Sequence, residues 1–460
     1  MTVSDGDLVA GVDVGTTNIK IGVFDGLGEC AGLVRLPTPS TVDKLVEDVA
    51  QGMRTCIVQA GRAPVAVGVA GMAETGAVLD AAGAPLTSLI PWTDPRGANE
   101  AEQINRECGT VELYRTTGRW ATAKSPLAKW LWLRRNDPGV LDAMTCWAGA
   151  ADLVVRALTG EARTHPTLAA RTLAYDLAHG DYEPDLLALA GLRPEQMPPL
   201  TGFDGGAGVV SSRAAAAMGL PAGIPVVNAG HDHAVGAWAA GAREPGVGCV
   251  SLGTAEAVVL PVPGDVAPEM ALAHGFTSDP SADGRHVCLV GGLPTSGALI
   301  DWLRTVVGSA GLDASVPTGI IVQPYLRGRV APAPDASPGL SFKGVTERHG
   351  PSDLLVAAIE GTCLHTRWTL DEAARIGNVS LDRLVFLGGQ ANIPVWMRIK
   401  TALSPVPVRI PRTADAVCAG AALRAIGASA LPSRPAPVEP ALERAYVPVY
   451  KEFLHVIGGR

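Results

Sequence analysis

Four short stretches of this chain gather residue types that can bind phosphate or move a proton. The first is Asp13-Val14-Gly15-Thr16-Thr17-Asn18-Ile19-Lys20. An Asp closes an apolar run, and a Gly turn with two hydroxyls follows at once. Backbone N–H groups of such a turn can approach phosphate oxygens closely. Thr16 and Thr17 add donors, and Asp13 is suited to hold Mg²⁺ or its water shell. The plain alternative is an ordinary hairpin turn with a polar cap. Neither GxxxxGK[ST] nor GxGxxG occurs in the chain.

The second stretch is Asn228-Ala229-Gly230-His231-Asp232-His233-Ala234-Val235-Gly236-Ala237. Asp232 stands where a helix N-cap would be, and capping is its plain reading. The chemical reading is a general base. A sugar hydroxyl has a very high pKa, so a positioned carboxylate is needed to take its proton as it attacks phosphorus. Metal ligation by His231, Asp232 and His233 is the third reading. Ligands at i, i+1 and i+2 diverge from a strand or a helix, and no partner His/Glu cluster appears elsewhere.

Ser251-Leu252-Gly253-Thr254-Ala255-Glu256 echoes the first turn. Phe386-Leu387-Gly388-Gly389-Gln390-Ala391-Asn392, followed by Trp396, places a Gly pair at the end of an apolar run. Such a pair lets a flat ring lie against backbone, as in an adenine pocket. A tight strand-to-helix turn explains a lone Gly-Gly equally simply.

The elements that must carry these residues follow from apolar periodicity. Leu8 to Phe24 reads as a hairpin around the Gly-Thr-Thr turn, and Gly248 to Leu260 as a second one. Val65 to Ala70, Val226 with Val227, and Val385 to Gly389 read as buried strands. Val78 to Leu86 reads as a hairpin turning at Ala82-Gly83. Helical spacing marks residues 42–59, 99–107, 127–135, 291–307, 352–377 and 394–403, and a helix is expected to start near Asp232. Pro432 to Pro440 reads as an exposed tail. A strand–Gly-Thr–strand unit thus opens the chain and returns after Gly246. That suggests two related α/β domains, 1–243 and 244–430, with a tail over 431–460.

Composition narrows the class. The 460 residues are 47% hydrophobic and 18% charged, which excludes disorder as the dominant state. The net charge of −8 argues against a nucleic-acid or anionic-membrane binder, which wants a basic face. The eight cysteines are scattered without a CxxC pair, so reduced buried thiols are expected. No apolar run reaches ~18 residues, and the first residues lack a basic segment. The expectation is a cytoplasmic protein without a signal peptide.

In order and spacing these pieces resemble the FGGY carbohydrate kinases, the family of xylulokinase, ribulokinase, gluconokinase and glycerol kinase. The resemblance runs from about Leu8 to Ala425. GVDVGTTNIK is similar to the family's first phosphate motif, and SLGT to the second. Gly71 to Gly76 (GMAETG) and Ile90 to Arg96 (IPWTDPR) occupy its sugar-contact segments. Pro126 to Leu133 resembles the first signature. NAGHDHAVGA carries the family's catalytic Asp at Asp232. Gly291 to Leu303, the loop Pro324 to Arg329 and Lys343 to Glu360 resemble later family segments, and LGGQAN the adenosine motif.

The resemblance implies two ribonuclease-H-like domains of the actin/hexokinase superfamily, with the active site in a cleft between them. It implies ATP and Mg²⁺ as cofactors and a small neutral sugar or polyol as acceptor, a pentulose or hexulose such as xylulose or ribulose before a tetritol or glycerol. Asp232 is the expected catalytic base. Glu74, Thr75, Trp92, Asp94 and His231 are expected at the acceptor. Thr16, Thr17, Lys20, Gly253, Thr254, Gly297, Asp301, Gly388, Gly389 and Asn392 are expected at the nucleotide, with Asp13 on the metal. No nucleic acid or membrane partner is expected, and dimers are common in the family.

Departures bear on the acceptor. Where xylulokinases carry Met-His-Gly and glycerol kinases Arg-Glu-Thr, this chain has Ala73-Glu74-Thr75. A carboxylate at Glu74 would accept hydrogen bonds from hydroxyls and disfavour an anionic acceptor. Trp92 would wall the carbon skeleton. Lys124 and Leu340 are atypical, and Gln390 replaces a usual Gly. The alternative function is a regulatory ATPase of the same superfamily without sugar kinase activity. Such a protein needs nucleotide contacts but no acceptor base, so Asp232 favours the kinase.

Overall fold

The computed structural model describes residues 6–458. Their packing divides into two units. The first holds the chain up to Ala239 together with Asp279–Arg285 and Asp415–Pro432. The second holds Ala240–Ser278, His286–Ala414 and the chain from Ser433 onward.

The first unit is built on a six-stranded sheet in the order Cys30–Pro37, Asn18–Phe24, Val9–Val14, Val67–Gly71, Pro225–His231, Gly206–Val209. Val9–Val14 and Asn18–Phe24 form the expected hairpin, with Asp13 opposite Lys20. Val9–Val14, Val67–Gly71 and Pro225–His231 then run parallel. Parallel strands covered on both faces read as continuous apolar runs, and Val9–Val14 is buried throughout. The helix Ala416–Ala425 lies so close that a Cβ on Gly68 would sit 1.8 Å from the Ala421 carbonyl oxygen, and one on Gly11 2.0 Å from that of Cys418. Glycine is therefore required at both positions.

Register fixes what stands together. Val14 and His231 both pair with Gly71. The carboxyl ends of three adjacent parallel strands are therefore level, and the residues around Asp13, Glu74 and Asp232 emerge side by side. Ligands of open α/β sheets bind at such strand ends.

The second unit has a seven-stranded sheet in the order Thr277–Pro280, Val287–Leu293, Glu256–Val262, Val247–Leu252, Arg383–Leu387, Val408–Pro411, Ser433–Pro435. An antiparallel hairpin, Val247–Leu252 with Glu256–Val262, is again followed by parallel strands. The two sheets thus repeat one plan: hairpin, two further parallel strands, antiparallel edge. The long helix Pro351–Ile376 packs against Gly297–Val307, Pro394–Leu403 and Pro440–Val456 around a core that includes Trp396, Tyr446 and Phe453.

Two expectations change, and a third gains a partner. The hairpin Val78 to Leu86 forms, with Leu86 N–H donating to the Val78 carbonyl at 2.8 Å and Leu79 bridging antiparallel to Pro85, and Gly76–Leu79 pairs with Cys146–Gly149 as well. The hairpin's turn at Ala82-Gly83 is closed by Gly83 N–H donating to the Asp80 carbonyl. The helix expected from Gly291 begins at Gly297, because the apolar run Val287–Leu293 is claimed by the sheet. The segment from Pro432, expected as a tail, adds the edge strand Ser433–Pro435. The helix after it buries Leu442, Tyr446 and Phe453. All eight cysteines are free thiols. No helix among the described residues is long and apolar enough to cross a membrane.

Candidate active site

Asp13 is the penultimate residue of the strand Val9–Val14 and is buried. Its Oδ2 accepts from Lys20 Nζ at 3.2 Å across the hairpin. Its Oδ1 is buried with no hydrogen-bond partner. Burial pushes the carboxyl up to about 6, against the pull of Lys20 and with the charge of Asp232 adding to the rise. An orphaned carboxylate oxygen of this kind is a hard donor that fits Mg²⁺. Beside it Thr16, Thr17 and Asn18 face solvent in a turn closed by Gly15 N–H donating to the Asn18 carbonyl.

Asp232 opens the helix Asp232–Ala240 directly after the strand Pro225–His231. Its Oδ1 accepts from its neighbours, His233 N–H at 2.7 Å and His231 Nε2 at 3.0 Å. Its Oδ2 is left for another donor. Burial would raise this carboxyl, but the two imidazoles and those hydrogen bonds outweigh it and hold the group well below the usual range. Asp232 is therefore ionised throughout the neutral range. The strand that presents it is anchored by Asn228, whose Nδ2 donates to Asp152 Oδ1 at 2.9 Å.

The acceptor segments are more elaborate than the sequence suggested. Glu74 sits at φ 65°, a left-handed conformation that non-glycine residues seldom adopt. Its Oε1 accepts from Arg171 Nη2 at 2.7 Å and Nε at 3.1 Å. Arg171 Nη1 also reaches Asp279 Oδ2 at 3.1 Å, and Arg119 pairs with the other oxygen of Asp279. Glu74 is thus no lone carboxylate. Burial works to raise it, and Arg171, Arg119 and Lys124 outweigh that and keep it low. Its charge is already matched, which removes the ground for expecting it to repel an anionic acceptor.

Lys129 ties the two acceptor segments together, donating to the carbonyls of Glu74 at 3.1 Å and Pro91 at 2.7 Å. Burial lowers its ammonium to about 8. Thr75 Oγ1 accepts from Trp92 N–H at 2.9 Å, and Trp92 Nε1 donates to Thr16 Oγ1 at 2.8 Å. Thr75 is buried, so it supports Trp92 from behind. Trp92 in turn links the acceptor segment to the Gly-Thr-Thr turn, and Lys124 Nζ lies 5.0 Å from its ring centroid. Asp94 is held by its neighbour Arg96, at 2.8 Å to the side chain and 2.9 Å to the backbone N–H.

In the second unit the turns converge as well. Gly297 N–H donates to the Gly253 carbonyl at 3.1 Å, and the N–H groups of Ser296 and Ala298 donate to that of Thr254 at 3.0 and 3.1 Å. Gly388 has φ 103°, and a Cβ there would lie 2.3 Å from the Leu252 carbonyl oxygen. Gly389 borders open space and Asn392 is exposed. Asp301, one turn into its helix, is exposed and 3.8 Å from Arg304.

A buried chain of polar groups backs these turns. Lys400 Nζ lies 2.8 Å from Glu256 Oε1 and donates to Thr366 Oγ1 at 2.6 Å. Ser296 Oγ lies 3.3 Å from Glu256 Oε2 and 3.4 Å from Gln390 Oε1, and Gln390 Nε2 donates to the Gly253 carbonyl.

Sequence reasoning missed Arg119, Arg171, Asp279, Thr366 and Lys400. Each is a single polar residue in an undistinguished segment. Their partners lie far away in sequence: Arg119 and Asp279 are 160 positions apart.

Models of the N-terminal and C-terminal domains of the FGGY family of carbohydrate kinases match residues 8–239 and 248–429. The chain belongs to that family, and its fold is the two-domain α/β fold of the actin/hexokinase type. Among curated relatives, it is 26% identical to an L-fuculokinase of Escherichia coli K12 over 444 residues, covering 91% of each chain. It is 29% identical to a glycerol kinase of Gloeobacter violaceus, covering 91% of this chain and 87% of that one. Among solved structures, a xylulose kinase from Rhodospirillum rubrum superposes with a TM-score of 0.85 at 24% identity, over 98% of both chains.

Proposed function

We propose that this chain catalyses transfer of the terminal phosphoryl group of ATP to a hydroxyl of a small neutral sugar or polyol. A pentulose or hexulose such as xylulose or ribulose is favoured over a tetritol or glycerol. The observation that carries this reading is the state of Asp232. One oxygen is committed to two hydrogen bonds, the other is free, and the carboxyl stays ionised at neutral pH.

In this mechanism Asp232 Oδ2 accepts the hydrogen bond of the attacking hydroxyl and takes its proton as the bond to phosphorus forms. The transition state of phosphoryl transfer is loose, so positioning and charge matter more than strong basicity. A carboxylate of low pKa suits that task, because the proton leaves late and need not be held tightly. Glu74, with His231 near it, orients the acceptor, and Trp92 gives its carbon skeleton an apolar wall. Thr75 and Asp94 fix the segments that carry them.

Thr16, Thr17, Lys20, Gly253 and Thr254 are the residues that would donate to phosphate oxygens. Gly297, Asp301, Gly388, Gly389 and Asn392 hold the nucleoside. Asp13 would hold Mg²⁺, which when bound neutralises charge on the phosphates. A cytoplasmic location and a homodimer belong to the same reading. The test is an ADP-release screen over ketoses and polyols in parallel with Asp232→Asn. Release stimulated by one acceptor, and abolished in the variant, is the expected outcome. Acceptor-independent ATP hydrolysis at the same rate in both proteins would contradict it.

A further inference from the structure

His231, Asp232 and His233 are consecutive, and on one continuous element their side chains would point apart. They stand instead at a junction, the strand ending on His231 and the helix beginning on Asp232. Gly230, just before it, has φ 109°. A Cβ on that glycine would lie 2.4 Å from Thr167 Oγ1. That same hydroxyl oxygen accepts from His231 N–H at 2.9 Å, pinning the turn. The bend gathers the three side chains. One donor atom from each lies within 4.8 Å of the other two. His231 Nε2 is 3.0 Å from Asp232 Oδ1, and the imidazole centroids are 5.0 Å apart.

We infer that His231, Asp232 and His233 form a binding site for a divalent ion of the zinc class, and that filling it disables Asp232. Two imidazole nitrogens with one carboxylate oxygen suit Zn²⁺, Ni²⁺ or Co²⁺, whereas Mg²⁺ takes oxygen ligands. The cluster, with its two imidazole donors, is therefore chemically distinct from the Asp13 carboxylate, whose Oδ2 pairs with Lys20. Tetrahedral Zn²⁺ with bonds of about 2.1 Å needs donors about 3.4 Å apart. The His231–Asp232 pair is already that close. The half-exposed His233 closes the remaining gap by rotating its ring. The ion replaces the hydrogen bond between His231 Nε2 and Asp232, the imidazole proton moving to Nδ1.

Charge permits this. Arg171, the cation that acts on His233, is matched by Glu74 and Asp279. A fourth position is left for water. Binding of the ion stands on this geometry alone. Its effect on turnover rests on the function proposed above, because an ion on Asp232 Oδ1 draws charge from Oδ2 and weakens it as a base for the acceptor's proton. General-base contributions run ~10²–10⁴-fold, so transfer should fall by at least ~10².

The test is titration of the full chain with Co²⁺ in excess Mg²⁺, followed by visible absorption. The expected result is a saturable tetrahedral Co²⁺ spectrum at one equivalent, abolished by Zn²⁺ and not by Mg²⁺. It should be lost when His231→Gln and His233→Gln are combined. His233→Gln alone, at a half-exposed position, repeats the test should the double variant fold poorly. No saturable spectrum in the parent, displacement by Mg²⁺, or an unchanged spectrum in a folded variant would overturn the site. Undiminished turnover at saturating Zn²⁺ would overturn its effect on Asp232. Absence of kinase activity with every acceptor would count against the proposed function alone, because the spectrum is read without turnover.

Discussion

Arg171 grips the carboxylate that the acceptor was expected to meet, its Nη2 2.7 Å and its Nε 3.1 Å from Glu74 Oε1. The same guanidinium bridges to Asp279. Removing one member of a buried ion pair leaves its partner uncompensated and costs about 3–5 kcal/mol. Arg171→Met should therefore lower the unfolding free energy by about 3 kcal/mol, because two carboxylates lose a partner and Arg119 retains only part of the compensation. It should also raise KM for the acceptor by about ten-fold, the loss of one charge-assisted hydrogen bond, with KM for ATP nearly unchanged. Denaturant titration and steady-state kinetics on one preparation check both. Unchanged stability with a shift confined to ATP would remove Arg171 from the acceptor side.

Glu74→Gln separates two roles for that residue. If Oε2 meets the acceptor, the acceptor KM rises about ten-fold or more and ATP is unaffected. Because Arg171 is then left with only Asp279, the variant should also unfold at lower denaturant. A stability loss with normal acceptor KM would make Glu74 a support for Arg171 only.

Asp13 gives a pH signature with a defined sign. Its folded-state pKa of about 6 lies above the ordinary carboxylate value. The ionised form is thus worse accommodated in the fold, at a cost of about 3 kcal/mol. Its neutral form contributes stability that is fully present below about pH 4 and lost as pH rises through about 6. Asp13→Asn should therefore be more thermostable than the parent above about pH 6, the difference vanishing below about pH 4. Mg²⁺ should narrow the gap by stabilising the parent, and nucleotide binding should lose its Mg²⁺ dependence in the variant. Melting curves against pH, with and without Mg²⁺, measure this. Parallel curves at all pH values would contradict the buried, strained carboxylate.

The backing of the turns in the second unit is tested through Gln390, whose side chain donates to the Gly253 carbonyl. Gln390→Gly should raise KM for ATP about three- to ten-fold, one hydrogen bond's worth, and leave the acceptor KM alone. Lys400→Met strands Glu256 in the core and should cost about 3–5 kcal/mol. Adding Glu256→Gln should restore much of that loss. Additive losses in the double variant would deny the coupling between the two.

Much of this was legible in the sequence, and the reasons are local. The hairpin at Asp13 and the one at Ser251 announce themselves because β-rich runs flank a Gly-Thr turn, and the turn chemistry needs nothing from elsewhere. The helix at Asp232 was expected from a cap-type residue and the Ala-rich run behind it, and Asp232 proves to be its first residue. What escaped depends on distant partners. Arg171 and Asp279 gain meaning only by meeting Glu74, and no periodicity encodes that meeting. The hairpin Val78 to Leu86 was legible because its turn is local, whereas the further partner of Gly76–Leu79, Cys146–Gly149, lies some 70 positions on. The divergence expected of His231, Asp232 and His233 assumed one continuous element, and the bend at Gly230 breaks that assumption.

The most direct measurement is kcat and melting temperature for Asp232→Asn on one preparation, with whichever acceptor the screen identifies. Asn is nearly isosteric, accepts the same bonds from His231 and His233 through its carbonyl oxygen, and caps a helix about as well as Asp. Fold and binding should therefore persist. The expected result is a melting temperature close to the parent's and a kcat lower by at least ~10². A kcat within a factor of two or so of the parent's, well short of a general base's contribution, with the protein folded and both substrates bound, would contradict the assignment of Asp232 as the base.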